Sequence, residues 1–402
     1  MLLYIDGFSV SGPLVMKRIP RCLNASRISG LLLRGCFLYG TIFGVITYRI
    51  ERKGSFLVAS NRRGYRWICV VIRLLTTALY TYSYDAWAGQ FVDWYFRAFF
   101  IIRLVGCLIC SVIILVLQLW FGEELLLLVN SFLKLFQRLR ALTNSNQVGF
   151  GDRQECILMA FKVISILFVF MAFRFVFLPW TLITMLSDFY TSVGTGMVTH
   201  LCFVGYLSIG VLYRDLNNYV DRQLRAQMIS LDVESVGENP QPARVAISNL
   251  DKCLSLYEEI HLVSQRFQRI FDLPLFVSLL HSLLAMAMVS YHAILRRQYL
   301  FNLWGLVIKL LTDVVLLTMA VNSAVSGSRL VKRLSLENFY VTEDKGHHQK
   351  LELFLGGLQH RALRVCPLGL FEVSNELTLF FLSAMITYLT FLVQYGLQSQ
   401  QI

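Results

Sequence analysis

Four hydrogen-bonding side chains, Ser383, Thr387, Thr390 and Gln394, recur at intervals of 4, 3 and 4 residues inside the apolar stretch ELTLFFLSAMITYLTFLVQYG (376–396). At about 100° per residue this spacing keeps all four within an arc of about 60° on an α-helix, with Leu and Phe over much of the rest. A polar stripe running the depth of a bilayer needs partners or water. Bonding to neighbouring helices or to the helix's own backbone is one solution. A water-lined path is the other, and since one helix cannot enclose a pore, that path implies a symmetric ring of subunits. A second pair, Lys309 and Asp313, lies four residues apart on one face of the apolar stretch 301–325. Ionisable groups in such a place are expensive, so the pair is either an ion pair that fixes helix packing or part of a site.

Other chemistries lack their residues. Cys107 and Cys110 have CxxC spacing in an apolar run with no second pair of ligands, and read as small packing residues. His347 and His348 are adjacent, poor geometry for one metal, with no Cys nearby. No glycine-rich phosphate loop and no strand-turn-helix nucleophile elbow is present. The expectation is no enzyme, no metal and no cofactor.

The elements that position these residues follow from composition. Of 402 residues, 56% are hydrophobic and 15% charged, with a mean hydropathy of +0.58. Soluble domains carry roughly 25% charged residues, so the chain reads as an integral membrane protein. Seven stretches reach the ~20 apolar residues that cross a hydrocarbon core: 67–86, 97–120, 157–178, 192–213, 275–295, 301–325 and 376–396. Of the 37 Lys and Arg, 29 fall in 1–66, 121–156, 214–274 and 326–375, and none in 87–96, 179–191 or 397–402. The positive-inside rule then predicts a cytoplasmic N-terminus and an extracellular C-terminus. An eighth apolar stretch, 31–48, would carry Lys17, Arg18, Arg21 and Arg27 outside if it spanned, so it reads as an interfacial or re-entrant helix. The net charge of +12 orients the chain. It forms no basic stripe with interleaved aromatics, so a nucleic-acid partner is not expected. Arg73, Arg103, Lys162 and Arg174, near span ends, are expected to snorkel to the interface.

The fold class is thus all-α and polytopic with seven transmembrane helices, in four parts. A cytoplasmic N-terminal segment with an interfacial helix covers 1–66. Helices one to six with cytoplasmic extensions cover 67–325, an anchor segment covers 326–375, and the seventh helix with a short outer tail covers 376–402. Leu216, Val220, Leu224 and Met228 carry a helical period past the fourth span, and the period resumes from Val245 to Phe271 after the polar linker 233–244. Aromatic and polar residues crowd the predicted outer ends: Tyr95, Phe99, Phe173, Tyr190, Thr195, Tyr291, His292 and Trp304. Interfacial belts use such residues, and so do small-molecule pockets. Tyr291, His292, Trp304, Lys309 and Asp313 are the favoured ligand-binding set.

Thr387-Tyr388, five residues, then Gln394-Tyr395 resembles the TYhhhhhQF signature that closes the last span of insect gustatory receptors. The lead-in Gly369-Leu370-Phe371, the basic stretch ASNRRGYRW (59–67), the length and the N-inside topology resemble that family too. Thr390 stands at a usually apolar position, Tyr395 replaces the Phe, and Leu389 stands where sugar-sensing members usually carry Glu. The resemblance implies a tetrameric ligand-gated cation channel of the sensory-neuron plasma membrane, formed with itself or with related subunits. It implies that the last helix lines the pore, with Gln394 and Tyr395 at the outer gate and a small-molecule tastant, a bitter or other non-sugar compound, bound among the outer halves of the other spans. Tyr388, one heptad before Tyr395, is expected at subunit contacts. Insect odorant receptors share this implied architecture. A G-protein-coupled receptor would need the opposite orientation, and Asp-Arg-Tyr and Asn-Pro-x-x-Tyr are absent where it would carry them.

Overall fold

A computed structural model describes residues 25–53, 56–88, 94–143, 150, 152–176, 182–224, 226–227, 241–295, 300–330 and 363–399. Ten α-helices carry the fold among them: α1 (Ala25–Ile42), α2 (Arg63–Ala88), α3 (Trp94–Leu119), α4 (Gly122–Thr143), α5 (Arg153–Val176), α6 (Leu182–Thr195), α7 (Met197–Tyr219), α8 (Gln241–Leu295), α9 (Leu300–Leu330) and α10 (Asn375–Ser399). Four stretches within them are long and apolar enough to cross a membrane, Ile101–Leu119, Leu186–Leu224, Ser248–Tyr291 and Trp304–Arg329, so the chain is a multi-pass membrane protein.

The helices lengthen the expected spans, mostly at one end. α8 is continuous over 55 residues despite Pro274. At 1.5 Å per residue that is about 80 Å, far beyond a hydrocarbon core of about 30 Å. α7 likewise continues into a π-turn, Val220–Leu224. The helical periods read after residues 213 and 245 are therefore real extensions. Of the polar linker 233–244, residues 241–244 already form the start of α8, while 233–240 and the pair His347/His348 lie outside the described residues.

α7 is the spine. Sixteen of its 23 residues are buried, and it approaches α9 closely where side chains are small. A Cβ on Gly210 would meet Ser323 Oγ at 3.1 Å, and one on Gly327 would meet Tyr213 Cβ at 3.1 Å. Close backbones let polar groups bridge them, and Asn217 Nδ2 donates to the Gly327 carbonyl at 2.8 Å.

Three expectations change. The region before α2 is not purely helical: Tyr48–Lys53 (β1) and Phe56–Asn61 (β2) pair as an antiparallel hairpin. Asn130 of α4 holds both backbone groups of Ala59 in β2. Secondly, 179–191 is not simply an outer loop, because α6 begins at Leu182 and meets α7 at Gly196. A run with one proline and no Lys or Arg reads as a turn, yet Leu, Ile and Met let it continue as helix. The third concerns Arg73 and Lys162, which do not snorkel and are held inside the bundle, and Arg103, which is about a third exposed yet turned onto Asp188 of α6. The side chain of Arg174 lies outside the described residues.

Arg73 shows why. α1 packs on α5, and Ser29 near its start bonds the Phe150 carbonyl near the start of α5. α1 ends at Ile42, after which the chain turns at Gly44 (φ +72°) and returns through the hairpin to the start of α2. Its buried end leaves carbonyls without helical partners. Arg73 Nη2 and Tyr190 Oη both donate to the Phe43 carbonyl, at 2.7 and 2.9 Å, Gln118 donates to that of Gly44, and Tyr65 Oη to that of Thr41. A cation at a helix C-terminus is favoured there. Gly44→Ala puts a Cβ 3.0 Å from Tyr190 Oη at a left-handed φ. It is expected to cost about 1–3 kcal/mol, read as a lowered thermal midpoint of the detergent-solubilised receptor.

Candidate functional site: a buried charge cluster and an outward polar stripe

Lys309 and Asp313 form the ion pair their spacing predicts, Nζ to Oδ2 at 2.8 Å. What the sequence did not disclose is a second cation. Lys162 of α5 meets the other oxygen, Oδ1, at 2.8 Å, and Ser165 Oγ donates to that same oxygen at 2.9 Å. One carboxylate therefore bridges two helices through two ammonium groups. The helical period supplies i,i+4 neighbours but says nothing about a residue 151 positions earlier. The available signal was an unexplained Lys162 in an apolar run.

Around this cluster stand aromatic and polar groups of three further helices, α1, α7 and α8. Lys162 Nζ lies 5.8 Å from the Phe203 ring centroid. His200, in the first turn of α7, places Nε2 3.2 Å from the Cys36 carbonyl of α1 and stacks edge-on with Tyr39. Thr199 and Ser278 share a hydrogen bond at 2.7 Å between α7 and α8. Of the favoured ligand set, Asp313 and Tyr291 are buried and Trp304 packs half-buried against the core. The side chain of His292 lies outside the described residues.

A second pair, a buried carboxylate with a partly exposed guanidinium, joins α3 to α6. Arg103 Nη2 sits 3.8 Å from Asp188 Oδ1, Ser192 Oγ donates to that oxygen at 3.1 Å, and the guanidinium lies over Tyr84. Asp188 had been placed in a loop, and its i,i+4 relation to Ser192 within apolar neighbours was the overlooked helical sign. Outside the apolar part of α5, Asp152, Glu155 and Asp215 gather around Arg214, with Asp152 at 3.3 Å and Asp215 at 3.1 Å. Burial pushes the Glu155 carboxyl up to about 7, against the opposing pull of Arg214. The folded chain then holds a proton that the unfolded chain has already lost, so stability falls as pH rises from about 4.5 through 7. The thermal midpoint should drop between pH 5 and 8 by the equivalent of roughly 1–3 kcal/mol, and Glu155→Gln should flatten that dependence.

The polar stripe of α10 takes an unexpected attitude. Leu377 and Phe381 are buried against the bundle, Met385 packs half-buried, and Thr378 Oγ1 lies 3.2 Å from Thr318 Oγ1 of α9. Counted at about 100° per residue, these contacts occupy the side opposite the stripe. Ser383, Thr387, Thr390 and Gln394 are all exposed, pointing away from their own bundle. Thr387 and Thr390 bond the carbonyls four residues back, which hides part of their polarity. Tyr388 is 54% exposed; the side chain of Tyr395 lies outside the described residues. The turn before α10 is held to α8 by a bond from the Leu368 amide to Asp272 Oδ1 at 3.0 Å.

A helical bundle with internal ion pairs and one helix turning polar residues outward is the architecture of a multi-pass membrane protein. The pattern of the 7tm Chemosensory receptor family matches residues 33–399, and the chain belongs to that family. It is 74% identical over 395 residues to a Drosophila melanogaster chain bearing the name gustatory receptor 93b, covering 98% of this chain and all of the relative. Gustatory receptor 93c of the same fly is 39% identical over 376 residues, covering 90% and 94% of the two chains. A third fly relative, named gustatory receptor for bitter taste 93a, is 25% identical with 82% of each chain covered. The fold is similar to that of the insect olfactory receptor OR5 from Machilis hrabei, with a TM-score of 0.59 at 12% identity over 92% of this chain and 99% of that one. The chain is an insect chemoreceptor of the gustatory and odorant receptor class.

Proposed function

We propose that the chain is a gustatory-type subunit of a tetrameric, ligand-gated, non-selective cation channel in the plasma membrane of sensory neurons, opened by an external small-molecule tastant other than a sugar. One observation carries this reading: the exposed stripe of Ser383, Thr387, Thr390 and Gln394 faces away from the bundle that anchors α10. Four hydrogen-bonding groups turned toward lipid would be unfavourable, whereas around a central axis they would line water. Four copies give the ring that one helix cannot make. Gln394 and Tyr395 act as the gate near the outer end, and Tyr388 packs at subunit contacts. The bitter-taste relative and Leu389 support a non-sugar tastant.

The proposed topology has seven spans with the N-terminus inside and the C-terminus outside. The segment 1–66 rests on the cytoplasmic side, 67–325 binds ligand, 326–375 anchors the assembly, and 376–402 forms the pore. Tyr291, His292, Trp304, Lys309 and Asp313 contribute to the ligand site. A physical route leads from that site to the pore, since Thr318, five residues beyond Asp313 on α9, touches Thr378 of α10. Ligand that favours one packing of α9 over another would bias the pore helix accordingly.

Single-cysteine substitutions test the stripe. Thr387→Cys and Gln394→Cys are expected to react with a charged, membrane-impermeant thiol reagent, and Tyr388→Cys much more slowly. Equal, background-level labelling of all three would remove the water-lined path. Gln394→Ala is expected to change gating or permeation while leaving surface receptor in place.

A further inference from the structure

The charges of the buried cluster do not cancel. Lys162 and Lys309 share the single carboxylate of Asp313, so two cations face one anion between α5 and α9. Ser165 occupies Oδ1 without adding charge. Among the described residues neither ammonium has another hydrogen bond or ion pair. Surplus charge in a membrane interior is costly unless something compensates it.

The two lysines are not equivalent. The side chain of Lys162 is 3% exposed and sits by the Phe203 ring, so its charge is enclosed. That of Lys309 is 14% exposed. Beside its Nζ lies Gly196, where a Cβ would come within 3.7 Å, so Gly196 itself adds no side chain there. Gly196 joins α6 to α7 in helical backbone, its amide bonding the Val193 carbonyl and its carbonyl accepting from the His200 amide. In the first turn of α7 stands His200, buried, with the charges of Lys162, Lys309 and Asp313 all acting on it. Its Nε2 faces a carbonyl, which only accepts, so the ring proton sits on Nε2 and Nδ1 is a lone pair without a donor. The Phe203 ring lies by Lys162, and Tyr39 packs edge-on against His200.

We infer that this cluster is a recognition site for small organic acids. The carboxylate of the ligand takes the remaining N–H groups of Lys309, the less buried of the two ammonium groups. Lys162 keeps Asp313 neutralised meanwhile, so the incoming anion balances a charge instead of displacing one. The inference deepens the proposed chemoreceptor function by naming its ligand class, and it rests on the ligand site assigned there.

The test reads binding, not current, so a failed channel assignment would leave its result intact. The full-length receptor in detergent is melted at constant chloride with sodium benzoate or sodium 2-naphthoate, and with the neutral benzamide and 2-naphthamide. Both acids are expected to raise the midpoint and the amides to leave it unmoved. Lys309→Gln is expected to weaken half-saturation by the acids about tenfold or more, the loss of one charge-assisted bond. Lys309→Arg keeps the response. Without any acid, Lys309→Gln should melt no lower than the parent chain, because it leaves Lys162 and Asp313 balanced one to one. Any one of four results would overturn the inference: no shift with the acids, equal shifts with acids and amides, an intact acid response in Lys309→Gln, or a Lys309→Gln chain that melts lower or fails to fold. The last would make Lys309 a structural partner of Asp313.

Discussion

Replacing Asp313 with Ala is expected to remove nearly all receptor from the cell surface. The substitution deletes the one acceptor that Lys162, Lys309 and Ser165 share. Two ammonium groups would then stand buried without a counter-charge. Removing one partner of a single buried ion pair costs about 3–5 kcal/mol, and here one carboxylate serves two cations. Total stability of a folded chain is only about 5–15 kcal/mol, so the loss consumes a large share of it. The triple variant Asp313→Ala, Lys162→Met, Lys309→Met should restore much of the surface signal, because apolar side chains of similar length fill the same space without charge. Surface biotinylation of the parent, single and triple variants checks both parts. A single variant that reaches the surface at parental levels would mean that water already solvates the cluster. This asymmetry separates Asp313 from Lys309, whose neutralisation leaves a balanced pair.

Thr387→Lys carries the other large effect. In a tetramer the substitution places four ammonium groups around one axis at the level of the stripe. Cation current should fall below detection while surface receptor stays within about twofold of the parent, since a water-lined wall solvates the new charge. If the stripe faced lipid instead, a charge at that depth would cost about 2.5–3.5 kcal/mol or more per helix. The variant would then be lost from the surface along with its current. Recording currents and counting surface receptor in the same cells distinguishes the two, because only the pore arrangement separates conduction from delivery to the membrane.

The contrast between these two substitutions reflects what was legible in the residues. The stripe on α10 was readable because a helical period is local: residues 4, 3 and 4 apart share a face whatever surrounds them. The Lys309–Asp313 pair was readable for the same reason, and it forms at 2.8 Å. Lys162, Arg103 and Arg73 were misjudged together. Each lies near the end of an apolar run, where a long cation ordinarily reaches water. Their actual partners, Asp313, Asp188 and the Phe43 carbonyl, come from other helices. Which helix stands beside which, and at what height, depends on side-chain packing that no periodicity encodes. Asp188 was hidden for a further reason, since the stretch holding it looked like a loop until α6 formed around it.

Composition and charge placement determined that this chain is a helical membrane protein, and the end of its last apolar stretch identified its family before any coordinates. Those properties are local or additive: transfer of apolar residues into hydrocarbon, the bias of basic residues, and a short run of residue types on one helix. Only the tertiary structure decided that the chain turns back after α1 and that the carbonyls there are closed by Arg73 and Tyr190. It alone showed that the polar stripe points away from its own subunit and that two lysines converge on one aspartate. Those outcomes depend on how rigid helices fit against one another. Charges 151 residues apart in the chain meet because α5 and α9 pack side by side, and the balance between them is settled there.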